Sequence, residues 1–195
     1  MIFLDIENLK EAKITLSLVF LNIILFLIFN LALPITYLLF FVQINSAIIN
    51  NYEIWRLITP IFFHADEIHL LSNSIALLLF GATVETNLRF SKIKFLLIYF
   101  ISGFIGNLFS LFFLPIDVIS LGASGAIFGL IGVALIMILT DNRALLPFAL
   151  LYIVYFIIAS LMPGINIWAH IFGLLAGLLF GYIFYYRNNK IIELY

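Results

Sequence analysis

Ser124 and His170 are the residues of this sequence best suited to covalent chemistry. A serine hydroxyl is a weak nucleophile until a neighbouring base takes its proton. A neutral imidazole can take that proton and later return it to a leaving amine. Ser124 lies in Gly122-Ala123-Ser124-Gly125, where a helix N-terminus would offer backbone N–H groups to an oxyanion. The pair predicts hydrolytic chemistry, although Ser124 alone is equally typical of a small-residue packing face.

His69 and Asn73 form a second candidate group. They are four residues apart and would therefore share one face of a helix. With the backbone N–H of Ser124, their imidazole and carboxamide could hold an oxyanion. Their spacing is explained equally well by structural hydrogen bonds to neighbouring helices. No acidic residue lies where it would orient His170, so the pattern predicts a Ser–His dyad rather than a triad.

Glycines recur at helical spacing after both Ser124 and His170. In chain order they are Gly125, Gly129, Gly132, Gly173, Gly177 and Gly181. At about 100° per residue, His170 and the glycines after it fall in one narrow stripe of a helix. A close crossing of the two glycine-rich helices would place His170 within reach of Ser124. We therefore predict that these glycines serve close helix packing.

The composition predicts an all-α membrane protein. Of the 195 residues, 65% are hydrophobic and only 10% are charged, whereas soluble domains average about 45–50% apolar and about 25% charged residues. A net charge of −1 without a basic cluster argues against a nucleic-acid partner. The absence of cysteine excludes disulfides and thiolate sites.

Six segments are apolar enough to cross a bilayer, which takes about 20 residues each. They cover residues 14–33, 69–85, 94–114, 121–139, 144–161 and 167–186. Residues 35–68 are too polar and too broken to cross, and we expect them to lie partly embedded in the interface. Because no soluble domain or linker interrupts the pattern, residues 1–195 are predicted to form a single six-span bundle.

Basic residues are distributed unevenly between the two sides of this bundle. Arg56 alone lies on one side, and the side of the termini holds Lys10, Lys13, Arg89, Lys92, Lys94, Arg143, Arg187 and Lys190. The positive-inside rule then predicts that both termini are cytoplasmic. The second, fourth and sixth spans begin on the outer side, near His69, Ser124 and His170 respectively. All three residues should therefore lie at a similar depth toward the outer leaflet.

Four motifs contain these residues: Trp55-Arg56, His64 with His69-Leu70-Leu71-Ser72-Asn73, Gly122-Ala123-Ser124-Gly125-Ala126-Ile127-Phe128-Gly129, and Ala169-His170-Ile171-Phe172-Gly173 with Gly177. In this order and on these spans they resemble the motifs of rhomboid intramembrane proteases. The resemblance implies a rhomboid-like six-helix bundle in which Ser124 is the nucleophile and His170 the general base. It also implies that His69 and Asn73 help to hold the oxyanion.

The resemblance has further implications for the site and its substrates. Gly122 would shape the loop around the oxyanion, and the ring of Phe128 would pack against the catalytic histidine. Trp55 and Arg56 would be structural residues of the first loop. The minimal prokaryotic form of the family cleaves single-span membrane proteins, so we expect transmembrane substrates and neither cofactor nor metal. The expected location is a prokaryotic plasma membrane, with the active site toward the outer side.

Three other interpretations are weaker. A zinc site built from His64, His69 and His170 lacks the H-E-x-x-H spacing of the common zinc proteases. A transporter would be expected to carry acidic residues near the middle of its spans, and none lies in the interior of a predicted span. A catalytically silent relative that binds membrane proteins has only the intact serine and histidine against it. The pattern makes no prediction of oligomeric state.

Overall fold

The computed structural model describes residues 6–87, 89–162 and 164–187, most of which are helical. In this described part, five helices are long and apolar enough to cross a membrane. They cover Lys13–Ala32, Glu67–Glu85, Lys92–Phe113, Ser124–Asp141 and Ile167–Tyr186. These helices coincide with five of the six predicted spans. Lys190, counted above among the cytoplasmic basic residues, lies outside the described residues.

The remaining predicted span, at 144–161, is a shorter apolar helix. A 3-10 turn at Arg143–Leu145 leads into the 14-residue helix α9, Leu146–Ala159. At a rise of about 1.5 Å per residue, a helix of this length extends about 21 Å, whereas the hydrocarbon core of a bilayer is about 30 Å thick. The crossing at this segment therefore stays a prediction.

Three of the long helices change from α-helical to π-helical winding along their length. The first consists of α2 at Lys13–Phe26 and a π-helical segment at Leu27–Ala32, and the short helix α1 at Ile6–Glu11 precedes it. The second consists of α5 at Glu67–Ala76, a π-helical segment at Leu77–Gly81 and α6 at Ala82–Glu85. The last consists of α10 at Ile167–Gly181 and a π-helical segment at Tyr182–Tyr186. The other two, α7 at Lys92–Phe113 and α8 at Ser124–Asp141, are α-helical throughout.

The first loop, which joins the first two long helices, is built from short elements. They are α3 at Ile35–Phe41, β1 at Gln43–Ile44, α4 at Asn45–Asn51, and 3-10 turns at Ile54–Leu57 and Thr59–Phe62. Strand β1 pairs antiparallel with β2, Ile119–Ser120, so that Gln43 lies opposite Ser120. This pairing fixes the first loop to the segment that leads into Ser124.

Arg56 holds this loop together. Its Nη1 donates to the carbonyl oxygens of Leu39 at 2.6 Å and Val42 at 2.7 Å, at the end of α3. Its Nε donates to the Glu53 carboxylate at 2.5 Å, and this hydrogen bond lowers the pKa of Glu53. The indole of Trp55 donates to the Phe40 carbonyl oxygen at 3.2 Å. In this structure the Trp-Arg pair therefore contacts the loop backbone.

Helix α8 is the centre of the bundle. Over an 18-residue apolar stretch of each long helix, 67% is buried in α8, against 28% to 44% in the other four. It packs most extensively against α10 and α7, with residues such as Leu130 and Val133 fully buried. The helix that begins with Ser124 is therefore held on several sides, and its first turn has little freedom to move.

The α8–α10 crossing brings two main chains into direct contact. A Cβ atom at Gly173 would overlap the carbonyl oxygen of Gly125, and one at Gly177 would overlap that of Gly129. Any residue other than glycine would therefore force the helices apart. This close approach lets the first turns of α8 and α10 meet.

Side-chain contacts fix the helix ends at the far end of the bundle from Ser124. The Glu85 carboxylate accepts hydrogen bonds from the backbone N–H groups of Ile14 at 2.8 Å and Thr15 at 2.7 Å. Negative charge at a helix N-terminus is stabilising, so Glu85 ties α6 to the start of α2. Tyr185, in the π-helical segment after α10, donates to the Asp141 carboxylate and thereby joins this segment to the end of α8.

Candidate active site

Gly122 determines where α8 begins. Its φ of +132° lies in the region that side chains disfavour, and its N–H donates to the Pro60 carbonyl oxygen at 3.0 Å. The helix therefore begins at Ser124, three residues after the predicted span start at Leu121. Ser124 is half-buried in the first turn of α8, where backbone N–H groups have no partner within the helix.

His170 lies beside Ser124, in the first turn of α10. Its Nε2 is 2.6 Å from the Ser124 Oγ, within the range of a hydrogen bond. Asn166 caps α10 by accepting a hydrogen bond from the N–H of Ala169. The Asn166 carboxamide also donates to the hydroxyls of Ser110 and Ser120, both at 2.9 Å. The helix turn that carries the imidazole is thereby tied to α7 and β2.

Phe128 packs on the imidazole of His170. Their ring centroids are 4.4 Å apart and the planes differ by only 11°, which is a stacked arrangement. Phe128 lies one turn after Ser124 on α8, so one helix supplies both the candidate nucleophile and the ring that supports the candidate base. His170 itself is buried, with 6% of its surface exposed.

Ser160 is a neighbour of His170 that the sequence reasoning missed. Its Oγ is 2.5 Å from the Nδ1 of His170, on the opposite edge of the ring from Ser124. It follows directly after α9, ten residues before His170, and is buried with 3% exposed. The available signal was a hydroxyl at the end of an otherwise apolar helix. Only the contact between Ser124 and His170 was predicted, and the structure extends it to a chain of three side chains that ends at Ser160.

His69 lies on the other side of the Ser124 hydroxyl. The backbone N–H of Ala65 faces its Nδ1 at 3.5 Å, a long contact that fits a proton on Nε2. Nε2 faces Gly122, since a Cβ built there would lie 2.7 Å from Nε2 and 3.7 Å from the Ser124 Oγ. A Cβ at Gly122 would therefore overlap the His69 ring, and His69 Nε2 and Ser124 Oγ both lie close to this glycine.

Asn73 follows His69 by one turn of α5 and is buried at 6% exposed. Its Nδ2 donates to the carbonyl oxygen of His69 at 2.9 Å, within its own helix. At the start of α5, Asp66 caps the helix by accepting from the N–H of His69 at 2.8 Å. Asn73 and Asp66 therefore both stabilise the turn of α5 that carries the His69 side chain.

His64 lies in the first loop directly beside His69. The two rings meet edge to face with centroids 5.1 Å apart. His64 is fully buried, and burial, together with the positive charge of a protonated His69, lowers its pKa to about 3. Its ring is therefore neutral at ordinary pH. Among the described residues, no three histidine, aspartate or glutamate side chains are grouped so as to hold a metal ion.

Comparisons with known proteins agree with the motifs. A family model described as the Rhomboid domain matches residues 51–187. The YdcA protein of Bacillus subtilis (strain 168), assigned by its name to the rhomboid proteases, is 40% identical over 151 residues, which are 72% of this chain and 72% of YdcA. RHOMBOID-like protein 1 of Arabidopsis thaliana is 38% identical over 148 residues, which are 73% of this chain but 37% of that relative.

A further relative is also matched over only a small part of its own length. Rhomboid protease GluP of Bacillus subtilis (strain 168) is 36% identical over 138 residues, which are 68% of this chain and 26% of GluP. The chain thus spans less than half the length of GluP and of the Arabidopsis relative. The family model and YdcA each match more than two thirds of the chain, and the chain therefore belongs to the rhomboid family.

Proposed function

We propose that this chain is an intramembrane serine endopeptidase that cleaves single-span membrane proteins, with Ser124 as nucleophile and His170 as general base. One observation carries the proposal: the Ser124 Oγ and His170 Nε2 are 2.6 Å apart although 46 residues separate them in the chain. Relatives named as rhomboid proteases support the same reaction class.

In the proposed reaction, His170 Nε2 takes the Ser124 proton as the Oγ attacks the carbonyl carbon of the scissile peptide bond. The tetrahedral intermediate collapses to an acyl-enzyme when His170 returns the proton to the leaving amine nitrogen. Water, deprotonated by the same Nε2, then attacks the ester carbonyl; the carboxyl product leaves as the bond to Oγ breaks, and Nε2 returns the proton to the Ser124 Oγ. The stacked Phe128 ring restrains the imidazole during these transfers.

The developing oxyanion is proposed to bind in the space beside Gly122. The backbone N–H of Ser124 lies in the first turn of α8, where the helix dipole favours negative charge. His69 Nε2 faces the same space from α5. Asn73 contributes indirectly in this proposal, because its carboxamide fixes the His69 turn. Glycine is required at position 122, because a Cβ there would overlap the His69 ring.

The orientation of the chain is part of the proposal. Eight of the nine Lys and Arg residues lie on the side of the predicted bundle that carries the termini, which favours a cytoplasmic location for that side. Ser124, His69 and His170 each lie in the first turn of a helix that begins at the opposite end. The active site would then open toward the outer face of a prokaryotic plasma membrane and meet substrates that span the same bilayer.

The proposal can be tested with purified protein in detergent. A tagged single-span membrane protein is incubated with wild type, Ser124→Ala, His170→Ala and the control Ser17→Ala, and the fragments are measured by mass. Ser17 bears a hydroxyl on the exposed face of α2. Cleavage by wild type and Ser17→Ala alone supports the proposal. Equal cleavage by Ser124→Ala would show that another residue is the nucleophile.

A further inference from the structure

Ser160 provides the only side-chain hydrogen bond that the described residues show at the Nδ1 of His170. Its Oγ lies 2.5 Å from that nitrogen in a buried environment. Three helices meet here: Ser124 begins α8, His170 lies in the first turn of α10, and Ser160 directly follows α9. The two ring nitrogens of His170 therefore contact hydroxyls from two different helices.

The Ser160 proton can be located from its second contact. The Oγ of Ser160 is 2.6 Å from the carbonyl oxygen of Phe156, one turn earlier in α9. A carbonyl oxygen can only accept, and two oxygens this close without a proton between them would repel. The Ser160 hydroxyl therefore donates to Phe156. Its lone pairs remain available, so the contact with His170 requires the proton to be on Nδ1.

A proton on Nδ1 leaves Nε2 of the neutral imidazole as an acceptor. That nitrogen faces the Ser124 hydroxyl at 2.6 Å. All the protons in this chain of contacts therefore point the same way. The Ser124 hydroxyl donates to Nε2 of His170, Nδ1–H donates to the Ser160 Oγ, and the Ser160 hydroxyl donates to the carbonyl oxygen of Phe156. This is the arrangement that a general base needs before proton transfer.

We propose that Ser160 is a positioning residue that holds His170 in the Nδ1-protonated tautomer and supports the imidazolium formed during catalysis. The inference rests on the proposed role of Ser124 and His170. After His170 takes the Ser124 proton, the ring is positively charged and Nδ1–H still donates to Ser160. A hydrogen bond to a charged group is about twice as strong as a neutral one, so the contact strengthens as the base becomes protonated.

Ser160 also has a purely structural interpretation, in which its hydroxyl only completes the end of α9. That role would affect folding but would leave the tautomer of His170 unchanged. The tautomer is therefore the property to measure. The chain contains only three histidines, so the ¹⁵N spectrum of histidine-labelled protein has few signals, and His170→Asn identifies those of His170.

The experiment compares wild type, Ser160→Ala, Ser160→Thr and Ser17→Ala by ¹H–¹⁵N correlation spectra and by the rate at which a fluorophosphonate labels Ser124. Ser17 is a matched control because its hydroxyl also donates to the carbonyl oxygen four residues earlier, that of Lys13 at 2.8 Å, on an exposed helix face. Wild type, Ser160→Thr and Ser17→Ala should carry the His170 proton on Nδ1 and label at similar rates. Ser160→Ala should populate the Nε2-protonated form and label about 10- to 100-fold more slowly.

Wild-type protein with the His170 proton on Nε2 would overturn the inference, whatever the variants do. An unchanged tautomer and labelling rate in Ser160→Ala would overturn it as well. Failure of the proposed function has a separate signature, namely labelling or cleavage that persists in Ser124→Ala. Because the tautomer is observed without turnover, the two failures are distinguishable.

Discussion

Gly132 allows a sharp test of the α8–α10 crossing because the three atoms nearest to an added Cβ are all main chain. A Cβ added at Gly132 would lie 2.6 Å from the carbonyl oxygen of Leu174, 2.7 Å from the N of Leu178 and 2.9 Å from the carbonyl carbon of Gly177. No side-chain rotation can relieve these contacts. Gly132→Ala must therefore move one helix away from the other.

The size of the effect follows from these distances. The shortest contact falls about 0.8 Å below the 3.4 Å at which ordinary van der Waals contact begins. Overpacking costs about 1–3 kcal/mol, and alanine recovers up to about 1 kcal/mol in helix propensity. Because three main-chain atoms are overlapped, the upper cost applies, and a net loss of about 2 kcal/mol would lower Tm by about 4–8 °C in a protein of this size. If the helices separate as rigid bodies, the 2.6 Å contact between Ser124 and His170 lengthens to about 3.4 Å.

A hydrogen bond at that length is largely lost, and a misplacement of about 1 Å can cost about 100-fold in rate. Tm in detergent and the cleavage rate of a single-span substrate measure the two effects. Gly103→Ala is the milder comparison, because a Cβ there would lie 3.1 Å from the Ile61 side chain and 3.2 Å from that of Ala126, so that a shift of only a few tenths of an ångström relieves both contacts. It should change Tm by no more than about 2 °C. Gly132→Ala with wild-type Tm and activity would refute the close main-chain crossing.

Three other substitutions test individual contacts. Phe128→Ala removes the ring stacked on His170 and should slow cleavage about tenfold, whereas Phe128→Tyr keeps the stack and should remain active; equal loss in both would contradict a packing role. His69→Ala should lower kcat about 100-fold with little change in KM, and an unchanged kcat would remove His69 from the oxyanion site. His64, with its pKa lowered to about 3, is neutral when folded and gains a proton on unfolding below its ordinary value of 6.5. Stability should therefore fall as the pH drops from 6.5 toward 3, by about 1.4 kcal/mol at pH 5.5; the Tm of His64→Phe should decline less steeply, and parallel curves would argue against this linkage.

The family and the helical membrane class were predictable because they depend on local patterns. Apolar segments of span length and the spaced motifs around Ser124 and His170 can be recognised in the sequence itself, and the family model confirms the family. Helix ends were harder. The start of α8 at Ser124 depends on the positive φ of Gly122, a turn geometry that hydrophobicity does not encode.

The contact of Ser160 with His170 could not be predicted from local sequence patterns. This contact depends on how α9 and α10 are placed relative to each other, which no periodicity specifies. Asn73 shows a different limit. Its spacing from His69 correctly placed both on one helix, but an i, i+4 pair can also bond within its own helix, as the Asn73 carboxamide does here. Residue type and spacing thus identified neighbours, whereas the direction of each donor required the three-dimensional structure.

The division of Ser124 and His170 between α8 and α10 has a consequence for biosynthesis. Translation proceeds at about 5–20 residues per second, and His170 follows Ser124 by 46 residues. Under the proposed mechanism, a growing chain carries its serine for about 2–9 seconds before the histidine exists. Longer still passes before the last helix can insert and dock. Under that mechanism no peptide bond can be cleaved until α10 has been made and has docked beside α8.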